Sequence, residues 1–195
     1  SGSTVFGDFS VKDLSLSMVA QMMQANFAGS DALYQGICID TRNLKPGDLF
    51  VALEGQHVDG HDYIEMAEKR GAAGLVLSRP VDSAIATLLV PNTLEAVALF
   101  AKAMRARFPI PMVAITGSSG KTTIKEMLYS ILSLKGPTLA TTDNLNNEIG
   151  VPLTLSRLNT GHWAAIIEMG ARRGGDIAYL MSLVNPNMAL ISNAS

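Results

Sequence analysis

Cysteine is nearly missing from this 195-residue chain, Cys38 being the single copy. One cysteine excludes an internal disulfide framework and a cysteine-rich zinc site. Long apolar runs are missing as well, since no uninterrupted stretch approaches the roughly 20 residues that a membrane helix needs. Charge of one sign is also scarce: 15 Lys and Arg against 17 Asp and Glu leave a net charge of −2. No general attraction to nucleic acid or to an anionic membrane follows from that balance. Before Pro109 stand 9 basic and 12 acidic residues, and from there on 6 and 5, so there is no basic tail. Disorder requires low hydrophobicity with high net charge. With 48% hydrophobic residues and a mean hydropathy of +0.24, neither condition is met. The opening Ser1-Gly2-Ser3-Thr4 lacks the basic and apolar regions of a secretory signal. These absences predict a soluble globular protein in a reducing, cytoplasmic setting.

What is present is an alternation of short apolar strands and amphipathic helices. The length exceeds a typical single domain and falls short of two complete ones. Leu14, Met18 and Met22 predict a helix over Val11 to Met23. Strands are expected at 36–39, 49–53 and 74–77, with a helix from Asp62 to Arg70 that ends at Gly71. A second unit is expected to open with a strand at 87–90 and a helix running to about Phe108, capped by Asn92 with Glu95 and stopped by Pro109 and Pro111. Strands at 112–116, 164–167 and 188–191 follow, with a helix from Thr122 to Lys135 whose Gly136 suits a C-terminal cap. Wholly apolar strands separated by helices predict parallel pairing with both faces covered. The fold class is therefore α/β: a small N-terminal α/β domain over residues 1–82, then a P-loop-type parallel sheet flanked by helices over 83–195. The sequence stops at Ser192-Asn-Ala-Ser195, directly after an apolar strand, so that second sheet is expected to be incomplete.

The strongest local signal is Thr116-Gly-Ser-Ser-Gly-Lys-Thr-Thr123, between a predicted strand and a predicted helix. A glycine turn before a helix aims free backbone N–H groups and the positive end of the helix dipole at a phosphate. Lys121 would reach the β- and γ-phosphates, and the Thr122 hydroxyl would join Mg²⁺. Ile115 stands where the longer G-x-x-x-x-G-K-[ST] pattern has its first glycine, so this is the tighter G-x-x-G-K-T form. With glycine at about 7% of residues, such a string arises by chance in roughly 1% of chains this long.

Glu168 closes the apolar run Ala164-Ala-Ile-Ile167. At the C-terminal end of a parallel strand beside a phosphate loop it can hold Mg²⁺ directly or through water. Its plainer reading is a solvated loop residue. The cluster Asn144-Leu-Asn-Asn-Glu-Ile-Gly150 reads equally as a site or as a capped turn. His57, His61 and His162 have no metal-ligand spacing and read as surface or loop histidines. Cys38, between two isoleucines, reads as a buried small apolar residue, and the methionines as core filling. Arg172-Arg173 is either a contact for an anionic substrate or a solvated loop.

Taken together, four blocks in order resemble the Mur ligases, ATP-dependent amide-bond-forming enzymes of peptidoglycan precursor synthesis. Asp40-Thr-Arg42 with Pro46-Gly-Asp-Leu-Phe-Val-Ala-Leu53 and Asp59-Gly-His61 is similar to their N-terminal, UDP-sugar-binding domain. Gly117-Ser-Ser-Gly-Lys-Thr-Thr123 with Lys125-Glu-Met127 is similar to their central ATPase domain. Asn144 to Leu153 and Glu168-Met-Gly-Ala171 most resemble the branch that adds D-alanyl-D-alanine to UDP-N-acetylmuramoyl-tripeptide.

The resemblance implies an acid–amino-acid ligase using ATP and Mg²⁺, cytoplasmic, monomeric at full length, without nucleic-acid or membrane partners. It implies that Gly117, Ser118, Ser119, Gly120, Lys121, Thr122 and Thr123 bind the phosphates, with Asn144 and Asn147 in the ATP or substrate site. Lys121 and Glu168 would be catalytic, and Thr122 and Glu168 would hold the metal. By similarity to the MurE kind, Ile39, Thr41, Arg42, Gln56, His57 and Val58 would surround the uridine and its diphosphate. Relatives continue with a His-containing loop, a lysine that supports a second Mg²⁺ once carbamylated, and a C-terminal domain. Those parts lie outside this sequence, so the chain is expected to be inactive as a ligase alone. A MurE-type ligase, a stand-alone UDP-sugar-binding module and an ordinary P-loop kinase or ATPase are the competing readings.

Overall fold

Leu49, Phe50 and Val51 send alternate side chains to opposite faces of a sheet, and all three are buried, so both faces must be covered. The computed structural model, which describes residues 14–193, covers them with helices. The first sheet contains β1 (Asn26–Ala28), β2 (Ile37–Cys38), β3 (Leu49–Val51), β4 (Gly74–Leu77) and β5 (Ala86–Leu89), in the order β1-β5-β4-β3-β2. Strands β2 to β5 run parallel, and β1 closes the far edge antiparallel to β5. Helix α1 (Leu16–Met23) and α3 (Thr93–Arg107) pack with Leu49, Val51, Val76 and Leu88. Helix α2 (Ile64–Lys69) packs with Phe50, Leu75 and Leu77.

The second sheet contains β6 (Met112–Thr116), β7 (Thr138–Ala140), β8 (Ala164–Glu168) and β9 (Met188–Ile191), all parallel, in the order β7-β8-β6-β9. Helix α4 (Lys121–Leu132) lies against β6, β7 and β8, while α5 (Gly150–Leu155) and α6 (Asp176–Val184) pack with α3. One apolar core runs from Leu49 and Val51 through Phe100 and Met104 of α3 to Met112, Ala114 and Ile167. At the end of α3, the buried Arg105 guanidinium donates to the carbonyls of Phe108 (3.0 Å), Ile110 (3.1 Å), Val184 (2.9 Å) and Asn185 (3.0 Å). A buried cation is thereby satisfied, and the ends of α3 and α6 are tied together.

Several expectations are corrected. The strand expected to open the second unit is β5, paired with β4 and β1 in the first sheet. Beyond the expected boundary at residue 82 the chain stays in this unit: Ile85 and Leu89 pack on the α2 side, as Val81 does, while Ala86 and Leu88 face the shared core. The helix expected to end at Gly136 ends at Leu132, with Ser133 as its cap. Gly136 is small for another reason: a Cβ there would come within 2.8 Å of the Trp163 ring. The helix over 62–70 begins with a 3₁₀ turn at Gly60–Tyr63. Val11 to Asp13 of the first expected helix, with Ser1 to Thr4, lie outside the described residues. The Asn92 cap is present, its side-chain oxygen accepting from the Glu95 N–H at 2.9 Å.

Candidate functional site

Strand β6 delivers the chain to Gly117, whose φ of +134° an L side chain rarely adopts, and Gly120 enters α4 at φ +78°. A Cβ at Gly117 would also come within 2.9 Å of the Asn193 nitrogen. The turn therefore needs glycine on both conformational and steric grounds. It brings the N-terminus of α4 to the tip of the sheet, where its unpaired N–H groups favour an anion. Lys121 lies over the loop and donates to the Gly117 carbonyl at 2.7 Å. Ser118, Ser119, Thr122 and Thr123 are exposed. The segment after β9 rests on the loop: the Ser118 N–H donates to the Asn193 carbonyl at 3.0 Å, and the Ser192 hydroxyl to the carbonyls of Ser119 and Thr116.

Glu168 ends β8 beside this loop and is buried, with 3% of its surface exposed. The Thr122 hydroxyl donates to it at 3.3 Å, and the Asn146 amide at 3.2 Å. Its own N–H donates to the Thr141 hydroxyl at 2.9 Å. Glu168 thus stands beside the loop, buried rather than solvated. No group of three His, Cys, Asp or Glu side chains that could hold a metal occurs among the described residues. A carboxylate and a hydroxyl suit Mg²⁺, which binds one or two protein oxygens, substrate phosphates and water.

The asparagine cluster divides its work. Asn147 accepts from the N–H groups of Ile149 (3.2 Å) and Gly150 (2.8 Å), turning the chain into α5. Asn146 and Asn147 line a cleft of about 530 Å³ together with Lys121, Gly117, Arg172 and Asp176. Asn144 is exposed and does not line that cleft; its carbonyl accepts from the Asn146 N–H at 2.8 Å. The Arg172–Arg173 loop is folded rather than merely solvated. Both backbone N–H groups donate to Asp176 at 2.8 Å, which holds that carboxyl below its ordinary range.

A second cleft of about 530 Å³ lies at the C-terminal ends of β2 and β3, lined by Ile39, Thr41, Arg42 and Val58 among others. Asp40 accepts from the Arg42 backbone N–H at 2.9 Å and holds its guanidinium at 2.6 Å. Gln56 and His57 are exposed on the same turn as Val58 but do not line the cleft. His61, expected at the surface, is buried. The Ser78 N–H donates to its Nε2 at 3.1 Å, so Nδ1 carries the proton given to Asp59 at 2.7 Å. Arg79 pairs with the other oxygen of Asp59 at 2.8 Å, fixing the base of the 54–59 turn. Between the two clefts a third, about 590 Å³, runs along β2 and α5 from Ile39 and Asp40 to Leu145.

Sequence reasoning quotes Asn146 and Lys125 only within longer blocks, gives neither a role of its own, and misses Thr141, Ser192 and Asn193. The asparagine cluster and the Lys121–Lys125 spacing of one helical turn were the available signals.

A glycine loop between a parallel strand and a helix, with a carboxylate at the tip of the neighbouring strand, defines the phosphate-loop class of α/β proteins. Two family descriptions match the chain: "Mur ligase family, catalytic domain" over residues 33–110 and "Mur ligase middle domain" over 115–195. The chain belongs to the Mur ligase family. It is 44% identical over 180 residues to the UDP-N-acetylmuramoyl-tripeptide–D-alanyl-D-alanine ligase of Escherichia coli, a match covering 92% of this chain and 40% of that one. A crystal structure of MurF from Acinetobacter baumannii superposes with a TM-score of 0.82 at 37% identity, over 89% of this chain and 39% of that one. MurF of Thermotoga maritima, solved in complex with ADP, gives 0.73 at 34% identity, over 82% and 37%. The chain thus spans about two fifths of the length of these relatives.

Proposed function

We propose that this chain carries the sugar-nucleotide and ATP-phosphate sites of a ligase that joins D-alanyl-D-alanine to UDP-N-acetylmuramoyl-tripeptide, a monomeric cytoplasmic enzyme of peptidoglycan precursor synthesis. The observation that carries the reading is the convergence of Lys121, Thr122 and Glu168 at the tips of β6 and β8. It comes in a chain 44% identical to a ligase of that name.

In this reading Gly117 to Thr123 cradle the phosphates, and the Lys121 ammonium neutralises charge on the β- and γ-groups as the tripeptide carboxylate attacks the γ-phosphorus and ADP leaves. The resulting acyl phosphate then accepts the amine of D-alanyl-D-alanine, with release of phosphate. Thr122 and Glu168 would hold Mg²⁺, which when bound supplies charge neutralisation at the phosphates. Asn147 and the exposed Asn144 belong to the edge of the ATP or substrate site. Ile39, Thr41, Arg42 and Val58 take the uridine diphosphate, with Gln56 and His57 reaching in from the rim. The cleft along β2 and α5 leaves room for a substrate that spans both ends.

Calorimetric titration of the chain with ADP and Mg²⁺, and separately with UDP-N-acetylmuramoyl-tripeptide, tests the proposal. Both are expected to bind; Lys121→Ala should abolish the first titration alone, and Arg42→Ala should weaken the second alone. Failure of the sugar nucleotide to bind, or insensitivity of ADP to Lys121→Ala, would overturn it.

A further inference from the structure

Helix α4 buries one residue below its phosphate-loop turn, and that residue is a lysine. Lys125 is 4% exposed, on a helix that lies against β7 and β8. Its ammonium donates to the Thr141 carbonyl at 2.9 Å and lies 3.1 Å from the Glu126 carboxylate. The Glu168 Oε2 oxygen is 4.0 Å away. Thr141 in turn accepts from the Glu168 N–H through its hydroxyl. The same threonine thus anchors the lysine head and the backbone of the glutamate.

Each Glu168 oxygen therefore faces a defined neighbour. Oε1 receives the Asn146 amide, Oε2 faces the Lys125 ammonium, and the Thr122 hydroxyl reaches both, at 3.5 and 3.3 Å. A carboxylate as buried as Glu168 needs polar or charged partners for its oxygens. Lys125 is the cation within ion-pair distance of it among the described residues. Lys121, the loop lysine, instead donates to Gly117. The two lysines lie one turn apart on α4 and divide between substrate phosphate and protein carboxylate.

We propose that Lys125 is a positioning residue for Glu168: its buried ammonium, fixed on the Thr141 carbonyl, holds the carboxylate in place and turned toward Thr122. The proposal rests on the metal-binding role given to Glu168 above. Partners that orient a metal ligand typically change metal affinity by about 10–100-fold when removed.

The test is ADP binding to the 195-residue chain, followed by calorimetry across a Mg²⁺ series, with thermal unfolding measured in parallel without metal. Lys125→Gln is expected to raise the Mg²⁺ concentration for half-maximal enhancement of ADP binding by about tenfold or more, and Lys125→Arg to restore most of it. In a Glu168→Gln background, Lys125→Gln should add no further loss, because the lysine acts through that carboxylate. A merely structural lysine would lower the melting temperature while leaving the Mg²⁺ series unmoved, and that result would overturn the proposal. So would additive losses in the double variant. If Glu168→Gln itself leaves Mg²⁺ dependence intact, the metal role of Glu168 fails first, and this inference falls with it. If Lys125→Gln does not fold, Lys125→Arg and the Glu168→Gln pair carry the same comparison.

Discussion

The Thr122 hydroxyl lies 3.3 Å from Oε2 of Glu168, although 46 residues separate the two in the chain. The contact joins the first turn of α4 to the tip of β8, the two places from which a phosphate-bound Mg²⁺ would be held. Thr122→Val keeps the shape and removes the oxygen. It is expected to weaken Mg²⁺-dependent ADP binding about tenfold, equivalent to about 1.4 kcal/mol. The melting temperature should hold, because Thr122 is exposed. Calorimetry with and without Mg²⁺ separates the metal contribution from the rest.

Gly150 starts α5 with its α-carbon against the backbone of Leu145, where a Cβ would overlap the Leu145 Cα and carbonyl carbon. Backbone cannot swing aside as a flexible side chain can. Gly150→Ala is therefore expected to destabilise the chain by about 1–3 kcal/mol. It should also displace Asn146 and Asn147, and so weaken ADP binding beyond the loss of stability. Urea unfolding gives the first quantity and titration of the folded variant the second.

Phe100 is fully buried on α3 and meets the Tyr34 ring edge-on, with centroids 5.3 Å apart. Phe100→Ala should cost about 3–5 kcal/mol. Because the core is continuous across both sheets, the loss should appear as one shifted transition, identical by far-UV dichroism and by Trp163 fluorescence. Two separated transitions would contradict a shared core.

Asp59 is held well below the ordinary aspartate value of 3.8, first by the backbone N–H of His61, then by its ring and by Arg79. A lowered carboxyl pKa contributes stability that is complete above the unfolded value and is lost as pH falls through the folded one. The stability difference between the native chain and Asp59→Asn should therefore be constant near neutrality and shrink below about pH 4. Urea midpoints measured from pH 7 downward check the sign.

The phosphate loop was legible because glycine turns, helix entry and a strand-terminal carboxylate are local chemistry. The Asn92 cap and β4 and β6 were legible for the same reason. The asparagine cluster was only partly so: its composition marks a site, but whether Asn144 or Asn146 faces the cleft depends on the turn geometry that Gly150 permits. Helix α5 escaped notice because it has six residues and carries Gly150 and Pro152, both poor helix formers. Strand β5 belongs to the first sheet and not to the second unit, a choice the sequence hides because its apolar pattern is the same whichever neighbour it pairs with. The burial of Lys125 and His61 is a tertiary outcome: long-range partners, Thr141 and Ser78, satisfy them there.

The strand order also dictates a timetable. Strand β1 pairs with β5, so every strand of the first sheet is present in the chain by residue 89. Strand β6 lies between β8 and β9, and its two neighbours arrive only with residues 164–168 and 188–191. During synthesis from the amino terminus, the glycine turn after β6 thus emerges well before the strands that hold it. The cleft at the ends of β2 and β3 is framed first, and the glycine turn after β6 gains its flanking strands only later.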